Sequence, residues 1–211
     1  CPVVQNVTVT VADGRFWYSL GNGLGNGLDN NWYLDGNNAS VVSSDGNKTT
    51  VQMGSGYRGD LWLARSGKGK IVNVTPADYR YFAIKVGFKS QLVPGKNKPN
   101  GCIKLEIFDD GIKKIGPEYF GTGGDANNRY EILGASEIST TEPNVLYYDL
   151  QSKYKTVTPT DWNQVFDLVQ CKFVIADFPE TAQTYDLYWI RSFKSIEELQ
   201  AFVDSENNTN E

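Results

Sequence analysis

The chain has 211 residues, with 20 Lys+Arg against 25 Asp+Glu, no histidine and a formal net charge of -5. That length suits one domain with a real core, and an acidic chain without a basic cluster makes a poor partner for nucleic acid or an anionic membrane. The missing imidazole excludes Ser-His-Asp and Cys-His catalysis and any His-ligated zinc, which leaves the 13% of aromatic residues, including five Trp and 12 Tyr, as the feature to explain.

In chain order the dominant period is two, the mark of half-buried strands. Val7, Val9 and Val11 alternate with threonines. Phe82, Ile84, Val86 and Phe88 alternate with Tyr81, Ala83 and Lys85, and Ile103, Leu105 and Ile107 with Lys104 and Glu106. Val145, Tyr147 and Asp149 alternate with Leu146, Tyr148 and Leu150, so Tyr147 and Tyr148 point to opposite faces. Val169, Cys171, Phe173 and Ile175 form one face of a further strand. In the last strand Leu187, Trp189 and Arg191 are phased together against Tyr188 and Ile190, which puts Trp189 on the face of Leu187.

The connectors are rich in turn pairs: Asp13-Gly14, Asp35-Gly36, Asp45-Gly46, Pro94-Gly95 and Asp110-Gly111. Gly21 to Gly27 alternates glycine with asparagine and leucine; it has no Lys-Ser/Thr ending and opens no helix, so it reads as a flexible surface loop, not a phosphate cradle. Only the end looks helical. Ser195-Ile-Glu-Glu198 is a capping-box pattern, and Ile196, Leu199, Phe202 and Val203 share one helical face, which predicts a short helix over 196–203. Many short strands with frequent turns make the expected fold an antiparallel β-sandwich or jelly roll with that helix packed on it. Residues 1–204 form a single domain in this reading, and 205–211 a linker or tail.

The segments 145–150 (VLYYDL), 170–177 (QCKFVIAD) and 185–195 (YDLYWIRSFKS), with 81–85 (YFAIK) upstream, form a series. It resembles a family of Bacteroidetes domains of undefined biochemical role, found in surface lipoproteins and multidomain proteins near polysaccharide-utilisation systems. The resemblance covers most of residues 50–203. It implies a jelly roll similar to galactose-binding-like and carbohydrate-binding modules, export, and glycan capture at the cell surface. It carries over no catalytic residue.

A pyranose ring offers a face of C–H groups that packs on Trp or Tyr, while nearby amides and carboxylates bond its hydroxyls. Such a site needs exposed aromatic planes and no histidine. Phe82, Phe88, Phe108, Phe173 and Phe193 fall on apolar-phased positions and are assigned to the core, as is Trp189. The ligand candidates are Trp17 and Trp32, which flank the Gly/Asn loop, Trp62 with Arg58 and Tyr57 beside it, and Tyr119 and Trp162 in turn-rich connectors. A structural calcium is the one cofactor considered, at Asp125, Asn127 and Asn128, and none is required. Glu106 and Glu118 are the candidate catalytic pair, but Asp109-Asp110-Gly111 between them reads as a turn.

Cys102 and Cys171 sit in strand-like runs, either as buried thiols or as a disulfide. Cys1 is either a lipid-modified residue of a surface lipoprotein or the end of a fragment. No apolar run approaches the roughly 18–20 residues of a membrane span. The expected function is a non-catalytic module for a neutral polysaccharide, secreted or on the cell surface and part of a larger chain or assembly. The alternative is a structural spacer or protein-interaction domain.

Overall fold

Two ten-residue strands, Phe166–Ile175 (β11) and Thr184–Phe193 (β12), each form the spine of one antiparallel sheet. A computed structural model describes residues 17–24, 32–35, 39–53, 59–63, 72–74, 78–91, 103–109, 130–149, 166–175 and 183–208. The strands expected at 81–88, 103–107, 169–175 and 187–191 form, the one expected at 145–150 is described over Asn144–Asp149, and the pattern at 7–11 lies outside the described residues.

β12 carries Tyr81–Phe88 (β7) along one edge. Its other edge is shared: Thr49–Gln52 (β4) pairs with its first half and Trp17–Ser19 (β1) with its second. Ser40–Ser44 (β3) pairs with β4, Asn144–Asp149 (β10) with β7, and Glu131–Ile132 (β9) with β10, which completes seven strands. In the second sheet β11 pairs with Ile103–Asp109 (β8) on one edge, and with Gly59–Leu63 (β5) and Val72–Val74 (β6) on the other. Trp32–Asp35 (β2) pairs with β5. The result is an all-β, two-sheet antiparallel sandwich of the jelly-roll class with one C-terminal helix.

The pleat explains the core. Phe82, Ile84, Val86 and Phe88 of β7 share rows with Tyr148 and Leu146 of β10 and with Tyr185, Leu187 and Ile190 of β12, and all are buried. Tyr18 and Val51 extend those rows onto β1 and β4. This face meets the second sheet through Phe173, whose ring lies 5.8 Å from that of Tyr148, both fully buried. Burying each such side chain is worth roughly 1.5–3 kcal/mol.

One irregularity redirects β12. Leu187 pairs with Val86 and Trp189 with Lys85, so Tyr188 is an inserted residue, a β-bulge. The bulge moves Trp189 off the face of Leu187. Trp189 is buried, as expected, but on the outer side of the seven-stranded sheet, and Phe193 is buried there too. The cover is the helix Ile196–Asn208 (α1). Leu199 is fully buried against Ala83, Val145, Trp189 and Phe193, with Phe202 and Val203 at the margin.

The α1 start is the expected box with a shifted return. The Ser195 hydroxyl accepts the Glu198 amide (3.1 Å), and the Glu198 carboxylate accepts the amide of Lys194 (2.8 Å), one residue before the cap. The helix runs to Asn208, past the stop predicted at 203, so residues 205–208 are helical where a linker was expected. Glu206 explains the extra turn: its carboxylate accepts the Trp189 indole N–H (3.1 Å) and lies 3.6 Å from the Lys85 ammonium.

The described part of the Gly/Asn segment is packed, not a free loop. Leu20 and Leu24 are buried, and the Gly21 carbonyl accepts the Gly46 amide at 2.9 Å. A side chain on Gly21 would collide with the Gly46 carbonyl. Gly46 itself takes φ 91° in the Asp45-Gly46 turn between β3 and β4.

Candidate functional site

The candidate tryptophans Trp17, Trp32 and Trp62 lie in three different strands, β1, β2 and β5. In β1, Tyr18 pairs with Ile190 and is 1% exposed, so the pleat turns Trp17 to the outer side of the seven-stranded sheet. There Trp17 is 36% exposed, the one exposed aromatic among the residues whose exposure is described. Its ring is held from two sides. The Arg191 guanidinium lies over it at 5.2 Å, and Phe202 of α1 meets it edge-on at 6.3 Å. Arg191 also lies over Phe202 (4.3 Å) and Phe193 (5.2 Å), so Trp17 stands on a fixed base.

A polar strip continues from Trp17 along the shared edge of β12. The Trp17 row crosses Ala83 of β7, and the Thr50–Asp186 row crosses Gly87, four residues on, about 13 Å away along the strand. Half-buried Tyr188 lies between them, with the Lys85 ammonium 5.0 Å from its ring centre. Asp186 closes the strip. Its carboxylate accepts Thr50 Oγ1 (2.7 Å), Lys89 Nζ (2.7 Å) and Lys48 Nζ (3.3 Å), and its side chain is 3% exposed. Burial opposes its charge, but the hydrogen bonds from Lys89 and Thr50 and the two ammonium charges outweigh that and hold the carboxyl below its ordinary range. The Asp186 charge in turn holds the Lys48 ammonium above its ordinary value, and burial pushes the Tyr188 hydroxyl up. Lys48 and Lys89 keep 33% and 51% of their side chains exposed.

Trp32 and Trp62 belong to the five-stranded sheet and to opposite rows of it. Leu61 pairs with Phe173 and with Leu34, and Phe173 faces the first sheet. Trp32 pairs with Leu63, which pairs with Cys171, in the same alternate set of rows as Phe173. Trp62 is one step off that set. Its row runs Tyr33, Trp62, Lys172, Glu106 across β2, β5, β11 and β8. Phe108, assigned to the core from sequence, pairs with Gln170.

Tyr57, Arg58, Tyr119 and Trp162 lie outside the described residues, as do the calcium candidates Asp125, Asn127 and Asn128, the acidic Asp110 and Glu118, and Cys1 and Cys102. Among the described residues no group of three His, Cys, Asp or Glu side chains could hold a metal, and no helix is long and apolar enough to cross a membrane. The residues that sequence reasoning missed are Tyr188, Lys48, Asp186 and Lys89. Their lysines and aspartate come from β12 and from positions beside β4 and β7, so no local motif joins them. The bulge that turns Tyr188 outward has no glycine or proline to announce it.

The chain belongs to the family described as Domain of unknown function (DUF4979), whose model matches residues 23–199. No curated protein matches it. Among solved structures, the Caldicellulosiruptor saccharolyticus CBM27-1 in complex with mannohexaose is similar at 13% identity and a TM-score of 0.35, covering 70% of this chain and 75% of that one.

Proposed function

We propose that this protein is a non-catalytic glycan-binding module that takes a neutral polysaccharide along the strip from Trp17 to Asp186. The observation that carries the reading is Trp17: a tryptophan 36% exposed, yet braced by Arg191 and Phe202. A braced indole loses little side-chain freedom on binding, which is the economy that makes rigid aromatics good anchors. Ser19, Thr50 and the exposed ends of Lys48 and Lys89 offer hydrogen-bonding groups to sugar hydroxyls along the same face. The sequence resemblance supports placing the module on a bacterial surface lipoprotein or secreted protein of a polysaccharide-utilisation system.

Native affinity electrophoresis through gels containing mannan, β-glucan, xylan or galactan tests the function. Retardation on at least one gel is expected, and Trp17→Ala should weaken binding at least tenfold, about 1.4 kcal/mol. Migration unchanged on every gel sinks the proposal.

A second reading, a protein-interaction domain, is favoured by one observation. The edge strand β3 is exposed throughout, with Val41 at 46% and Val42 at 55%. Its register shift between Val41 and Ser43 argues against open pairing with another strand, because a bulged edge is a poor template. Sedimentation at rising concentration checks this reading; a monomer throughout removes self-pairing through β3.

A further inference from the structure

The last turn of α1 is held against its own electrostatics. It contains no basic residue, and Asp204 and Glu206 set two carboxylates near the end where the helix dipole is negative. Such a turn frays unless contacts outside the helix hold it. Glu206 supplies the hold. Both of its carboxylate oxygens accept the Trp189 indole N–H at 3.1 Å, and one lies 3.6 Å from the Lys85 ammonium. Four residues earlier, on the same side of the helix, stands Phe202. Its ring meets Trp189 edge-on at 5.3 Å, Phe193 at 5.7 Å and Trp17 edge-on at 6.3 Å, with the Arg191 guanidinium over it at 4.3 Å. Phe202 thus joins the end of the helix to the tryptophan on which the glycan-binding reading stands.

We infer that Glu206 is a positioning residue for the Trp17 site, and that occupancy of this site and docking of the last turn of α1 are linked. The inference rests on the glycan-binding reading and adds to it how the site is held in shape. Leu199 is fully buried and anchors the first half of α1 independently of the last turn. The part free to open is therefore the segment 202–208, with Glu206 as its clasp. When the clasp opens, Phe202 leaves the edge of Trp17, and of the two braces only the Arg191 guanidinium stays over the indole. A less restrained indole loses more side-chain freedom on binding, so a sugar ring packs more tightly on the braced form. A ligand with that preference shifts the helix end toward its docked state. The linkage is reciprocal: the factor by which docking tightens ligand binding is the factor by which ligand tightens docking.

The test uses the whole chain and a hexasaccharide of a neutral polysaccharide that retards it. In the wild type, saturating hexasaccharide should slow amide hydrogen exchange over residues 202–208. In titration calorimetry Glu206→Ala should weaken binding about fivefold or more, the lower end of ordinary coupling between sites, with near-ultraviolet dichroism confirming the fold. Glu206→Gln, whose amide oxygen still accepts the indole N–H, should recover part of that loss. In a Trp17→Ala background Glu206→Ala should weaken binding no further, which separates positioning through Trp17 from a general loss of stability. If Glu206→Ala does not fold, Phe202→Leu replaces it. Exchange at 202–208 unmoved by the hexasaccharide, Glu206→Ala binding as tightly as wild type, or a further loss in the double variant overturns the linkage and leaves the Trp17 site standing. Wild type that binds none of the polysaccharides overturns both.

Discussion

Asp186 is buried, and its three donors come from or beside two strands, Lys48 and Thr50 at β4 and Lys89 at β7. Replacing it by Asn keeps the shape but removes the charge that Lys48 and Lys89 share. Hydrogen bonds to a charged group are worth roughly 1.5–3 kcal/mol each in full burial, and both lysines reach solvent, so Asp186→Asn should cost about 1–3 kcal/mol by urea denaturation. The pH dependence follows from the signs. A depressed carboxyl pKa gives stability that is complete above the unfolded value near 3.9 and is lost as pH falls through the folded value. Asp45, whose carboxylate accepts the Lys48 and Asn47 amides, leans the same way. Lys48, Tyr147 and Tyr188 are shifted upward, so their contributions hold below the ordinary 10.5 and 10.0 and are lost as pH climbs past them. With no histidine in the chain, the thermal midpoint should be flat from about pH 5 to 8 and fall on either side. In Asp186→Asn the acid limb should be shallower. A midpoint that slopes steadily across pH 5–8 contradicts this assignment.

The bulge at Tyr188 and the helix α1 form one device. Because a strand's side chains alternate, one inserted residue exchanges the faces of everything after it. Were Tyr188 paired in regular alternation instead of bulged, Trp189, Arg191 and Phe193 would turn into the sandwich, and Ile190 would turn out. Deleting Tyr188 should therefore leave every later residue on its present face, so the variant should still unfold cooperatively and keep its near-ultraviolet dichroism; a deletion variant that loses both contradicts the register. The helix contributes in proportion to its cap and its buried leucine. Ser195→Ala should cost about 1 kcal/mol and Leu199→Ala roughly 2–3 kcal/mol in denaturant titrations, and equal effects from the exposed Gln200→Ala would deny Leu199 its role. The same device shows where sequence reading stopped. The alternation at Phe82–Phe88 and Leu146–Tyr148 was legible because each residue keeps its parity from end to end. Ser195 and Glu198 were legible because capping is local. Trp189 was assigned to the core correctly but to the wrong face, since parity fails at an unannounced bulge.

At the scale of the whole molecule, the two sheets separate the tryptophans: Trp17 stands outward on one sheet, and Trp32 and Trp62 belong to strands β2 and β5 of the other. Position beside the Gly/Asn segment made Trp17 and Trp32 look alike, and only strand pairing separates them. The Asp186 strip stayed hidden because Lys48, Lys89 and Asp186 are distant in the chain and adjacent in the sheet. In the proposed reading, a chain without histidine that sets Trp17 on an outer sheet face binds its ligand without moving a proton. Affinity electrophoresis of the wild type beside Trp17→Ala on neutral polysaccharides tests that claim most directly. The account predicts that the wild type is retarded and that the variant migrates nearly as it does in a gel without polysaccharide. A wild type never retarded, or retarded equally with its variant, would contradict it.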